Sequence, residues 1–273
     1  MPASLKIQLR DWYARRRFAL SAANHPLYLA YARRVYRPRP GSSQAVLDRF
    51  SRKLGRPVTF VQVGANDGIT HDPVHLFIKR DGWRGVLLEP QALLCERYLR
   101  PLYAANPGVH VEQAAIGAAP GEATLYTLGF SEKRWATGVA TFERDVLQAA
   151  VNSGHIARRA VKAGDAIPAG EELIVETQVP VTTPAELLAR YGIERLDVLQ
   201  VDTEGYDFEV IKLFDVSRLR PAIINYESAH LSDGDAQACR ALLKAEGYTT
   251  RISGGDTIAV QPEYVRLLDE TAG

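Results

Sequence analysis

Four continuous apolar runs, VTFVQV (58–63), GVLLE (85–89), DVLQV (197–201) and AIINY (222–226), constrain this chain more than any other feature. Each has the length of a strand, and each ends at or beside Gly64, Glu89, Asp202 or Glu227. Runs without a polar face belong to central strands covered on both sides, as in a parallel sheet with helices above and below it. The expected fold is therefore α/β, a doubly wound sheet. Strands are expected at 58–63, 85–89, 109–114, 123–128, 173–181, 196–202, 222–227, 247–252 and 256–261. Helices are expected at 73–80, 91–105, 141–151, 184–191, 205–214 and 234–246, and the interval 129–172 reads as an insertion with one helix and a mobile loop.

With 273 residues, 46% of them hydrophobic, the chain can bury one principal core. Cys95 and Cys239 lie far apart in helical segments, which points to buried thiols rather than a disulfide or a zinc site. No apolar run approaches the ~20 residues of a membrane span, so a soluble, cytoplasmic protein is expected. Charge is uneven along the chain. Residues 1–56 hold 13 Lys/Arg against 2 Asp/Glu, a net +11, and the remainder holds 20 against 30, a net −10.

In residues 5–37 apolar and aromatic residues recur every three or four positions among arginines, and the pattern breaks near Asn24-His25-Pro26. Two amphipathic helices follow from that pattern. Residues 1–56 are read as a basic helical extension and residues 57–273 as the main domain. The extension suits an anionic membrane surface, which would place the protein at the inner membrane face, or an acidic acceptor, and nucleic acid is disfavoured. The competing reading is that it packs on the body or in a homodimer.

In doubly wound sheets ligands bind beyond the carboxyl ends of the strands, so the residues just after each strand carry the information. Gly64-Ala65-Asn66-Asp67-Gly68 is neither G-x-G-x-x-G nor a P-loop, which disfavours a pyrophosphate. Asn66, Asp67 and Asp72 suit an amino group or a cation instead, although Asp72-Pro73 equally reads as a helix start. Glu89 stands where an acid accepts bonds from ribose hydroxyls. Asp202 and Glu204 precede Gly205, and Glu227 precedes His230 by three residues, a pairing that makes His230 a general-base candidate.

These pieces resemble the FkbM-type S-adenosylmethionine-dependent methyltransferases. The resemblance rests on VQVGANDG, GVLLEP, VEQAAIG with GEATLY, LQVDTEGYDFEVIKLFD, INYESAHLS and DTIAV, in the family's order over roughly residues 57–262. It implies a seven-stranded methyltransferase sheet whose last strand is antiparallel, in a domain spanning 57–273. It implies too that Gly64, Ala65, Asn66 and Asp67 cradle the methionine part of S-adenosyl-L-methionine, with Glu89 on the ribose. Gln113, where members often have Asn, and Ala114 would border the adenine, and Asp202 would face the methyl and the acceptor. Many members have Asp at the position of Gln62, and residues 1–56 lie outside the family core.

The implied reaction is O-methylation of a hydroxyl on a sugar of a glycan, glycolipid or secondary metabolite. His230 or Glu227 would remove the proton and Asp202 would orient the hydroxyl. Asp202 and Glu227 also offer a divalent-cation site, ranked below metal-free catalysis. The alternatives are an NAD-dependent sugar oxidoreductase, which the missing G-x-G-x-x-G opposes, and a non-catalytic binding protein with the same fold.

Overall fold

The computed structural model describes residues 3–169 and 173–269. Parts of three expected segments lie outside them: residues 1–2 of the extension, 170–172 of the insertion and 270–273 of the main domain. The strands in chain order are β1 Thr59–Val63, β2 Arg84–Leu88, β3 Val109–Glu112, β4 Ala115–Ile116, β5 Gly121–Leu128, β6 Ile174–Thr182, β7 Val198–Val201, β8 Ile223–Glu227, β9 Thr249–Ser253 and β10 Asp256–Val260.

Seven of these strands form one sheet in the order β3-β2-β1-β7-β8-β10-β9. From β3 to β8 every pair is parallel, and β10 runs antiparallel to both neighbours. Strand order reverses between β1 and β7, which opens the crevice of a doubly wound sheet at that point.

Period-2 alternation divides the core between the two faces. Phe60, Leu87, Val198 and Ile223 pack with Val46, Leu47 and Phe50 of helix Ser43–Leu54 and with Phe77, Ile78 and Trp83. Val61, Val63, Val86, Leu199 and Tyr226 pack on the other face with Leu187, Ile211 and Leu243. Each large apolar side chain buried here contributes roughly 1.5–3 kcal/mol. Cys95 and Cys239 are buried and free. Among the described residues no helix is long and apolar enough to cross a membrane.

Two of the nine expected strands lie outside this sheet. β5 and β6 pair antiparallel with β4 beside β6, in a separate three-stranded sheet. Their burial explains the difference: in β6 only Ile174, Val179 and Thr182 are buried, whereas β7 is buried at every residue. The insertion also carries more helix than its pattern suggested, in Arg134–Thr137, Arg144–Asn152 and His155–Ala163. The last of these buries only Ile156, Ala160 and Ala163 among its basic residues, a stripe too thin to stand out in the sequence.

The helix expected over 91–105 is present but loosened into a π turn at Cys95–Leu99, next to Pro101. Proline cannot donate the bond that would continue the regular ladder. In the basic head, helix Ala3–Ala22 stops at Asn24 (φ 46°) and a second helix starts at Pro26, with the His25 side chain accepting the Leu27 amide. That second helix runs into a π turn at Tyr31–Val35.

Candidate active site

Glu112, Leu88, Val63, Val201 and Tyr226 lie in one register row across β3, β2, β1, β7 and β8. The next residue along each strand therefore reaches the same level of the sheet edge. Those residues are Gln113, Glu89, Gly64, Asp202 and Glu227, and Asp256 of β10 pairs with Glu227. Five separate sequence motifs are thus brought to one edge, on both sides of the point where strand order reverses.

The loop after β1 is held by its own backbone. Gly64 has φ 81°, and the amides of Gly64 and of the buried Ala65 both donate to the Leu88 carbonyl at 3.0 Å. Asn66 has φ 47° and donates its amide to Glu89 Oε2 at 2.8 Å. Asp67 Oδ1 accepts the amides of Ile69 and Thr70 and closes the turn. Glu89 is buried, its Oε1 accepts from the Gln91 amide and side chain, and burial raises its pKa. Gln113 is half-buried and Ala114 is buried beside β4.

Asp72 serves the helix-start role that the sequence left open. Its Oδ1 accepts the amides of Val74 and His75, and its Oδ2 accepts from Gln62 Nε2 at 2.8 Å. The helix itself begins at His75, two residues later than expected. Burial, only partly offset by these bonds, pushes Asp72 up to about 6. Gln62 therefore meets Asp72 where an acid at the same position would repel it.

Beyond β7 and β8 stands a cluster of acids around one imidazole. His230 Nδ1 lies 2.8 Å from Glu204 Oε2 and 3.0 Å from Glu227 Oε2. Burial, and then the carboxyls of Asp202, Glu204, Asp207 and Asp256, pushes Glu227 up to about 8, so it holds a proton at neutral pH. Asp202 accepts a hydrogen bond from Glu227, and burial raises its pKa against the opposing charge of Arg134. Glu204 is raised by burial and then by Asp202, with His230 and Arg134 opposing. Its φ of 53° is a backbone strain of the kind that collects at functional sites.

Asp256 was seen in the sequence only within DTIAV, and Asp207 and Arg134 were not singled out there. Asp207 is fully buried. Its Oδ2 accepts from Thr203 Oγ1 at 2.9 Å and from the amides of Thr203 and Gly205, and its Oδ1 accepts the Glu227 amide at 3.1 Å. It ties the turn after β7 to the end of β8. Only its place in the V-D-T-E-G-Y-D stretch signalled it. Arg134 comes from the insertion, far away in the chain, and its charge opposes the effect of burial on Glu89, Asp202 and Glu204, with Arg159 of the same insertion also acting on Glu204. The insertion reaches the loop after β1 as well: Thr137 Oγ1 contacts Asn66 Oδ1 at 3.4 Å, and Gln91 Nε2 donates to the Thr137 carbonyl at 3.0 Å.

Glu204, Glu227 and His230 each offer one ligand atom, all within 4.8 Å of one another. That trio shares Glu227 with the Asp202 and Glu227 pair that the sequence offered for a cation. An open groove continues from Ser228 and Ala229 and is lined by Asp233, Gln237, Arg240 and Ile252. The two histidines on either side of Asp72-Pro73, His71 and His75, stand elsewhere. His71 is exposed, and His75 is buried against Ser21, Tyr28 and Tyr103.

The family model described as "Methyltransferase FkbM domain" matches residues 62–250. No curated protein matches the chain. Among solved structures, methyltransferase FkbM from Methylobacillus flagellatus KT is 12% identical at a TM-score of 0.46, covering 90% of this chain and 58% of that one. The chain thus spans a little over half the length of that relative. Precorrin-6y C5,15-methyltransferase from Geobacter metallireducens GS-15 is 10% identical, with 80% and 87% covered and a TM-score of 0.39. The O-methyltransferase from Bacillus cereus in complex with SAH is 12% identical, with 88% and 87% covered and a TM-score of 0.37.

Proposed function

The chain belongs to the FkbM methyltransferase family, and on that premise we propose that it moves a methyl group from S-adenosylmethionine to a hydroxyl oxygen, with a sugar as the acceptor class. The observation that carries this reading is the single edge on which Gly64, Glu89, Asp202 and Glu227 stand together with Glu204 and His230. The residue set fits the donor: carboxylates at the strand mouths suit an ammonium group, a sulfonium centre and a ribose diol, and Gly64 lets the backbone turn tightly beside them. When bound, the donor supplies an electrophilic methyl on a positively charged sulfur that leaves neutral.

Glu89 takes the ribose hydroxyls, Gly64 to Asp67 face the methionine part, and Gln113 and Ala114 border the adenine. Asp72, with both oxygens engaged, supports the loop from behind through Gln62. Asp202 faces the reacting centre and orients the acceptor hydroxyl.

His230 is the base. Its Nδ1–H donates to Glu204, which fixes the tautomer and leaves Nε2 to accept the acceptor proton. Glu204 then stabilises the imidazolium, and the protonated Glu227 bridges to Asp202 and so adds no third negative charge to the cluster. Holding acceptor and donor in line contributes up to ~7–11 kcal/mol of barrier lowering. A divalent cation held by Glu204, Glu227 and His230 would take Nδ1, the nitrogen that faces both carboxylates, and so displace the Glu204 hydrogen bond that sets this tautomer. The groove past Ser228, with Asp233, Gln237 and Arg240, supplies the polar groups that a polyhydroxylated acceptor needs.

Incubation with methyl-labelled donor and a panel of free sugars and glycans tests the reading. Label in an alkali-stable methyl ether is expected; label on nitrogen alone, or no transfer to any hydroxylated acceptor, would sink it.

A further inference from the structure

Helix Ala3–Ala22 carries two stripes of opposite fate. One docks on the body. Phe18 meets Tyr98 edge-on at 6.0 Å, Ser21 Oγ lies 2.9 Å from His75 Nε2, and Arg17 Nη2 donates to the Ile69 carbonyl at 2.9 Å. The other stripe, Leu9, Trp12, Tyr13, Arg16 and Leu20, follows the same three-and-four spacing on the opposite side. It stands in solvent, with Leu9 49%, Trp12 58% and Tyr13 61% exposed. Arg16 lies over the Trp12 ring at 5.8 Å, and the exposed Arg10 and Arg15 flank the stripe. The next segment repeats the pattern. Leu27, Tyr31 and Val35, four apart, are exposed beside Arg33, Arg34 and Arg37.

We propose that this outward face of residues 9–37 is a membrane-surface element that lies in the plane of an anionic phospholipid bilayer. An exposed Trp-Tyr-Leu stripe of this extent marks an interaction site. Its charge selects the partner, because residues 1–40 carry nine Lys/Arg against Asp11 alone. Two copies meeting through this face would set eight net positive charges against eight, which disfavours a self-complementary dimer. Nucleic acid would satisfy the arginines but leave Leu9, Leu20, Leu27 and Val35 without a role. At an anionic interface, aromatic and aliphatic groups enter the headgroup boundary while arginines meet the phosphates. The docked inner stripe holds the helix against the body, so the methyl-transfer edge would stay near the surface that the head touches. The proposal does not depend on which acceptor is methylated.

The test is cosedimentation of the full chain with phosphatidylcholine vesicles with and without about 30% phosphatidylglycerol. Binding to the anionic vesicles is expected, at least about tenfold weaker in about 0.5 M salt. Both Trp12→Ala/Tyr13→Ala and Arg15→Glu/Arg16→Glu should weaken it by about tenfold or more, with thermal unfolding unchanged because these side chains face solvent. No binding to anionic vesicles would overturn the proposal, as would equal binding of the aromatic double variant. Sedimentation velocity and duplex DNA binding are run on the same samples. A dimer that dissociates on Trp12→Ala/Tyr13→Ala without vesicle binding, or duplex binding in place of vesicle binding, would assign the face to another partner.

Discussion

A Cβ on Gly64 would sit 1.8 Å from the Asp202 carbonyl oxygen, so the turn after β1 and the mouth of β7 are in direct backbone contact. Side-chain repacking cannot relieve such a clash, and φ 81° at Gly64 already disfavours any L-residue. Gly64→Ala is expected to cost roughly 2–4 kcal/mol of stability and to abolish donor binding, because β1 and β7 must separate where the site is built. Thermal unfolding and calorimetric titration check both effects.

Asp207 is a positioning residue for the turn that presents Glu204 and for the start of the segment leading to His230. Asp207→Ala leaves the amides of Thr203, Gly205 and Glu227 without their acceptor and should cost about 2–4 kcal/mol. Asp207→Asn should restore part of that stability. Equal losses in the two variants, measured by denaturant unfolding, would mean that the carboxylate charge, which both remove, is at stake rather than the acceptor oxygen that asparagine keeps.

His230→Ala and Glu227→Gln separate chemistry from binding. His230→Ala is expected to lower turnover about 10²- to 10⁴-fold, with donor affinity near wild type. Glu227→Gln keeps a hydrogen-bond donor near Asp202 but cannot redistribute its proton, so its loss should be smaller. Steady-state kinetics beside donor titrations reads the difference, and unchanged turnover in both variants would remove them from the mechanism.

The doubly wound sheet and its ligand edge were legible because β1, β2, β7 and β8 are nearly continuous apolar runs that stop at Gly64, Glu89, Asp202 and Glu227. Docking of the basic head on the body was one of two readings of the sequence, but the residues that make it were not legible. His75 fell inside the helix expected over 73–80 with nothing to mark its partners, yet its Nε2 contacts Ser21 and Tyr28 while its Nδ1 meets Tyr103, whose hydroxyl donates to the Gly68 carbonyl. Nor was Arg134 legible, since its electrostatic partners come from strand ends that only the fold brings beneath the insertion. β5 and β6 read as ordinary strands because period-2 patterning shows that a strand exists, but not which sheet it joins.

That same His75 gives a pH dependence. Because Tyr103 donates to Gly68, His75 carries its proton on Nδ1 and accepts at Nε2. Burial, and then the charges of Lys79 and Arg17, hold its pKa well below the ordinary value of 6.5. The unfolded chain therefore binds a proton below about 6.5 that the folded chain refuses, and stability falls as pH drops, by at most about 1.4 kcal/mol per unit. Asp72, raised to about 6, works in the opposite sense, so the contribution of His75 is read as a difference. The stability gap between wild type and His75→Gln should shrink as pH falls from about 6.5 to 5, measured by urea unfolding.

The most direct measurement of the central claim is calorimetric titration of S-adenosylmethionine into the wild-type chain and into Glu89→Ala, with NAD as a control. One-to-one binding to wild type is expected, weakened about 10- to 100-fold by losing the carboxylate that takes the ribose hydroxyls, with no response to NAD. Binding of NAD without S-adenosylmethionine, or a donor affinity indifferent to Glu89, would contradict a donor site at this sheet edge.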